Sequence, residues 1–167
     1  FESSFGPVDE KRMLHVHAPG RSEISGNHTD HEGGHIIAAA LDVAVDGIAR
    51  TNGTNVVRVA SEGYEPFEIT LDSLEIVEEE KGTTASLVRG MAHEIAAAGA
   101  IPAGFDLAMT CTVPSGGGLS SSAAIEAAIG RTMEALWSAS SIDPVSLAQM
   151  SQRTENHYYG KPCGLMD

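Results

Sequence analysis

Apolar and polar positions repeat along this chain with two periods, and each period predicts its own element. Leu87, Val88, Met91 and Ile95 recur at helical spacing, so Thr84 to Ala98 reads as an amphipathic helix closed by Gly99. Asp143 followed by Pro144 supplies an N-cap with proline at the first helical position, and this helix is expected to run to about Tyr159, before Gly160 and Pro162. Ala123 to Leu136 is rich in helix formers. Phe105 to Val113 is an apolar run that reads as a buried strand. His15-Val-His17 alternates within a short strand at 14–18, which puts both histidines on one face. Ile36 to Leu41 reads as a further core element. Val43 to Arg50 and Asn55 to Ala60 read as strands joined by Thr51-Asn-Gly-Thr54. Asn-Gly is the strongest short hairpin signal, so a β-hairpin is expected at about 43–60. Phe67 to Leu71 adds a strand, and residues 1–12 form an extended lead-in. Strands and helices mix without regular alternation, so the class is α+β.

Two polar stretches interrupt this pattern. Pro19 to Gly34 is dense in glycine and polar side chains and lies between core elements, as functional loops often do. Its arginine, two histidines and short hydrogen-bonding side chains suit a polyhydroxylated ligand. His28, Asp30 and His31 also form a candidate metal cluster. The second stretch is Pro114-Ser-Gly-Gly-Gly-Leu-Ser-Ser-Ser-Ala-Ala124, set between the Phe105 strand and the Ala123 helix. Strand, glycine loop and helix start form a geometry for an anion, because glycines admit close approach and free amides at the helix start point at the charge. A glycine turn with a serine cap is the plain alternative. No lysine follows as in a Walker loop, and Ser138 to Ser141 stand where a dinucleotide fold would place its ribose-binding acid.

Composition narrows the partners. The 167 residues suffice for one domain with a core, and 42% hydrophobic content is that of a globular chain. A formal charge of −13 argues against nucleic acid and against an anionic membrane surface. A polyphosphate ligand would then need a cation and local positive groups. Two cysteines, Cys111 and Cys163, make no disulfide framework and fit a reducing cytoplasm. No stretch is long enough to span a bilayer, and no secretory leader is seen. The chain starts at Phe1 and stops at Asp167 directly after a motif, so it reads as a piece of a longer protein.

Ala18-Pro-Gly-Arg21, Gly26, His28-Thr-Asp30 and Gly33-Gly34 together resemble the galactokinase sugar loop. Pro114 to Ala124 resembles the second motif of the wider GHMP kinase superfamily. Pro162-Cys-Gly-Leu-Met-Asp167 resembles the galactokinase segment that carries the catalytic aspartate. The resemblance implies the GHMP-kinase N-terminal domain, a ribosomal protein S5 domain 2-like mixed sheet packed with helices, over residues 1–167. A C-terminal domain with the third motif would follow. It further implies transfer of the ATP γ-phosphate to the 1-hydroxyl of galactose, as in the Leloir pathway.

Residue by residue, the resemblance implies Asp167 as base for the anomeric hydroxyl, with Arg21 beside it. Gly116, Gly117, Gly118, Leu119, Ser120, Ser121 and Ser122 would cradle the ATP phosphates. Ser122, with Ser121 as the alternative, and Glu155 would hold Mg²⁺. Asn27, His28, Asp30 and Gly164 would bind the sugar. The expected partners are a small sugar and ATP, and a monomer is expected.

Three positions depart from the family loop. Glu23 stands for an asparagine, Asn27 for the glutamate that accepts from the sugar's C6 hydroxyl, and His31 for a tyrosine. A substrate altered at C6, such as galacturonate, is therefore an alternative to galactose, as is arabinose. A non-catalytic sugar sensor is an alternative of another class, although the serine loop and Asp167 are both intact.

Overall fold

A computed structural model describes residues 1–114, 118–137 and 141–166. Five strands form one mixed sheet in the order β1-β2-β5-β3-β4. They are β1 (Leu14–Ser25), β2 (Ile37–Thr51), β3 (Val56–Ser61), β4 (Phe67–Thr70) and β5 (Phe105–Cys111). A short α1 (Glu2–Phe5) opens the chain, in place of the extended lead-in expected there. The longer helices are α2 (Thr84–Ala97), α3 (Ser121–Trp137) and α4 (Pro144–Thr154).

Strand alternation builds the core. Val45, Ala49, Val57, Val59, Ile69, Phe105, Leu107 and Met109 are buried on the sheet face that receives the helices. From α2 come Leu87, Val88, Met91 and Ile95, the residues whose spacing marked the helix, and all four are buried. From α3 come Ala124, Ala128, Ile129 and Met133. The far sheet face carries His15, His17 and Asp46 along an open cleft of about 670 Å³, which Tyr64 of the β3–β4 connection also lines. The α4 cap is as expected, with Asp143 accepting from the Val145 amide at 2.9 Å and the Ser146 amide at 3.3 Å.

The hairpin expected at 43–60 is not formed. Strand β5 lies between β2 and β3, antiparallel to β2 from Thr51↔Phe105 to Val45↔Cys111 and parallel to β3 from Arg58↔Asp106 onward. Gly104, just before β5, threads through the Asn52–Thr54 connection: its carbonyl accepts from the Asn52 amide and its amide donates to the Thr54 carbonyl at 2.8 Å. A side chain on Gly104 would strike the Thr54 and Val56 carbonyls and the Asn52 side-chain oxygen. The wholly buried Asp106 then draws in both flanking strands, meeting Arg58 at 2.7 Å, Arg50 at 3.4 Å and the Asn52 amide group at 2.9 Å. The local Asn-Gly turn chemistry yields to a central strand that buries an apolar face and satisfies a buried carboxylate.

The reading of Pro19 to Gly34 as one loop also changes. Strand β1 continues to Ser25, pairing Arg21↔Ala40, Ser22↔Ala39 and Ser25↔Ile37. The partner stretch was expected in the core, yet Ile37, Ala38, Ala39 and Ala40 are exposed. Strand β5 pairs with β2 only up to Val45, so beyond that point no third strand lies beside the β1–β2 ribbon among the described residues.

Candidate functional site

The β1–β2 ribbon carries Arg21 to where the helix layer begins. Its Nε donates to the Met166 carbonyl at 2.6 Å, and one terminal nitrogen donates to the Gly118 carbonyl at 3.0 Å. The other donates to the Ser120 hydroxyl. One guanidinium thus ties the sugar-loop strand, the glycine loop and the 162–166 segment together. Its planar fork suits such convergence, which a lysine could not reproduce. Gly118 and Ser120 both have positive φ, 71° and 47° respectively, and helix α3 starts at the next residue, Ser121. A non-glycine residue in that region is uncommon and such strain clusters at functional sites. Gly116, Gly117 and Asp167, three of the expected site residues, lie outside the described residues.

Beyond Ser25 the chain turns through three consecutive positive-φ residues, Gly26, Asn27 and His28. Glu23 holds this turn: its carboxylate accepts from the His28 amide at 3.0 Å and lies 3.4 Å from the His28 Nε2. Glu23, the departure from the family asparagine, thus shapes the loop. A 3-10 turn, Thr29–Glu32, follows, and Thr29 donates to the Gly26 carbonyl at 2.8 Å. Asp30 leaves this turn toward the C-terminal segment and accepts from the Met166 amide at 3.0 Å. That amide holds the Asp30 carboxyl below its ordinary pKa. A side chain on Gly164 would fall on the Asp30 carboxylate, so glycine is required for this approach. His31 is exposed, with Nε2 3.7 Å from Glu32. Among the described residues no three His, Cys, Asp or Glu side chains converge to hold a metal ion.

The third feature lies at the start of α3. The Ser122 hydroxyl donates to Glu155 Oε1 at 3.0 Å, and Lys161 Nζ lies 3.6 Å from the same oxygen. Glu155 is buried and begins a π-helical turn, Glu155–Tyr159, a deviation that recurs at functional sites. Ser122 and Glu155 stand 33 residues apart in the chain and are joined only by the packing of α3 against the end of α4. Both are oxygen donors of the kind a hard cation such as Mg²⁺ takes beside phosphates and water.

One residue here escaped the sequence reading. Glu126, four residues after Ser122 on α3, is 1% exposed, and its Oε1 has no hydrogen-bond partner among the described residues. Burial, reinforced by the Glu155 charge, pushes its pKa up to about 9. An orphaned buried oxygen costs about 1–3 kcal/mol, so its retention calls for a reason. The available signal was a lone acid inside Ala123-Ala-Ile-Glu-Ala-Ala-Ile129, at helical spacing from the serine.

Beside Ser121 and Ser122 opens a cleft of about 640 Å³, walled by Phe67, Leu87, Met109 and Ile125 with Tyr64 and Tyr159 at its margin.

Comparison with known proteins agrees with this geometry. The galactokinase galactose-binding signature matches residues 1–51, and the GHMP kinases N terminal domain matches residues 86–167. The galactokinase of Bacillus subtilis is 34% identical over 169 aligned positions, covering 100% of this chain and 43% of that protein. The galactokinase of Lactobacillus helveticus is 35% identical over 162, covering 95% and 42%. The chain thus spans less than half the length of these curated relatives. The crystal structure of Lactococcus lactis galactokinase complexed with galactose superposes with a TM-score of 0.90 at 32% identity, over 100% of this chain and 43% of that one. Methanococcus jannaschii mevalonate kinase shares the fold at a TM-score of 0.76 and 15% identity, over 92% and 49%. With two family signatures over most of its length, and with its whole length aligned to part of a galactokinase at 34% identity, the chain belongs to the GHMP kinases, in their galactokinase branch, and corresponds to their N-terminal part.

Proposed function

We propose that the protein is an ATP-dependent sugar 1-kinase acting on galactose, with residues 1–167 as its N-terminal domain and a C-terminal domain closing the cleft. The observation that carries this reading is the Arg21 tie between the phosphate loop, at Gly118 and Ser120, and Met166, the residue before Asp167. Donor and acceptor machinery are thereby held in one place, which is most of what phosphoryl transfer asks of a protein.

In this mechanism the anomeric hydroxyl oxygen attacks the γ-phosphorus and its proton passes to the Asp167 carboxylate. A new C1–O–P bond forms as the bond from γ-phosphorus to the bridging oxygen breaks, and ADP leaves. Arg21, as the family resemblance implies, would keep Asp167 ionised and face the charge that moves onto the transferring group. Amides from Gly116 through Ser122 cradle the phosphates at the start of α3. Ser122 and Glu155 would hold Mg²⁺, which neutralises phosphate charge when bound. Asn27, His28, Asp30 and the Gly164 backbone grip the sugar, and the cleft beside Ser121 takes the adenine. Two cysteines, Cys111 and Cys163, fit a cytoplasmic setting. Among the described residues no helix is long and apolar enough to cross a membrane.

A second substrate reading rests on Asn27, which carries no charge to repel an anion at C6 and so favours galacturonate as the alternative sugar. A coupled ADP-release assay on the full chain, offering galactose, galacturonate, arabinose and glucose separately, tests both. Turnover with galactose that collapses in Asp167→Asn is expected. Faster turnover with galacturonate moves the assignment to that sugar. No turnover with any sugar, while one still raises the Tm, overturns the kinase reading in favour of a sugar sensor.

A further inference from the structure

Ser122 and Glu126 lie one turn apart on the same face of α3, and Glu155 faces that turn from the end of α4. As the chain stands, the Ser122 proton is taken by Glu155 Oε1. A divalent cation shared by Ser122 and Glu155 would draw that carboxylate oxygen to itself. The serine hydroxyl would then use a lone pair toward the cation and still carry a proton that needs an acceptor. Inside this buried layer the Glu126 Oε1 is the side-chain oxygen without a partner among the described residues. Loss of an outer group that orients a metal ligand in this way typically costs roughly 10–100-fold in metal affinity.

We propose that Glu126 is a positioning residue of the cation site, whose unpartnered oxygen accepts the Ser122 hydroxyl once that serine and Glu155 turn to a divalent cation. This rests on the kinase reading only in placing the cation between Ser122 and Glu155. It explains why a buried oxygen is left unsatisfied one turn below the serine: the partner arrives with the ligand. A carboxyl or an amide oxygen serves as the acceptor, and a methyl group does not.

The test is Mn²⁺ binding to the full chain with a non-hydrolysable ATP analogue, followed by electron paramagnetic resonance, beside the Tm of each variant without metal. Glu126→Leu removes the acceptor while filling the space, and Glu126→Met does so with a more adaptable chain should the leucine fail to fold. The expected result is Mn²⁺ affinity about tenfold weaker in these apolar variants at an equal or higher Tm. Glu126→Gln, which keeps a carbonyl oxygen in place, is expected to bind as the parent does. Unchanged affinity in the apolar variants overturns the inference, as does an equal loss in Glu126→Gln. Glu155→Ala separates the two readings. If it leaves Mn²⁺ binding intact, the cation site itself is misplaced and the inference falls with it. If it abolishes binding while the apolar variants keep it, the inference alone fails.

Discussion

Arg21 Nε donates to the carbonyl of Met166 at 2.6 Å, joining residues 145 positions apart. The same guanidinium reaches Gly118 and Ser120, so the group that would face the transferring phosphate also sets the spacing between the phosphate loop and the sugar segment. Arg21→Lys keeps the charge and loses this fork. In full-length protein kcat should fall about 100-fold, the scale of an ångström of misplacement, with the Tm little changed. Steady-state kinetics with a thermal melt decide this, and near-parental kcat in the lysine variant would exclude the tie as functional.

Gly164→Ala places a methyl group on the Asp30 carboxylate and so breaks the Met166 amide contact. Loss of a hydrogen bond to a charged group predicts a KM for sugar raised about tenfold. The Asp30 pKa is lowered by the Met166 amide, so its contribution to stability is present above the ordinary 3.8 and is lost as pH falls through the lower folded value. An acid-unfolding series should therefore show the parent losing stability at the acid end, and Gly164→Ala losing less of it there.

Glu126 carries the opposite sign. Its carboxyl is pushed from an ordinary 4.5 up to about 9, chiefly by burial, so the folded chain holds a proton that the unfolded chain has released. Stability from this group is complete below pH 4.5 and declines as pH rises toward 9. Melting curves from pH 5 to 9 should show the parent Tm falling relative to Glu126→Gln, whose profile lacks this slope. Parallel profiles would mean that Glu126 stays charged in the fold.

Asp106→Ala leaves the Arg50 and Arg58 guanidinium groups without their shared carboxylate and Asn52 with only the Val56 carbonyl to accept from its side-chain amide. Both arginines keep some access to water, so the expected cost is about 3 kcal/mol, near the low end for breaking a buried pair. Urea unfolding measures it. Because Asp106 lies away from Arg21 and Ser122, nucleotide binding at saturating urea-free conditions should be unchanged.

What the residues alone determined is what local physics decides. Helix α2 follows from the spacing of Leu87, Val88, Met91 and Ile95, and α4 from the Asp143–Pro144 cap, because both depend on neighbours within a turn. The glycine–serine loop between Phe105 and Leu136 was legible for the same reason, since strand, loop and helix start are contiguous. Strand order was not. Asn52-Gly53 is a sound hairpin signal, yet β5 enters between β2 and β3 because it buries Phe105, Leu107 and Met109 and gives Asp106 both arginines, gains that no local window contains. The exposure of Ile37 to Ala40 has a similar origin, since β5 ends too early to cover them. Only tertiary packing brings Glu155 to Ser122 and Arg21 to Met166. Packing also turned Glu126 from one more helix-forming residue into a buried acid, because burial and an unpaired oxygen belong to the assembled layer and not to any stretch of chain.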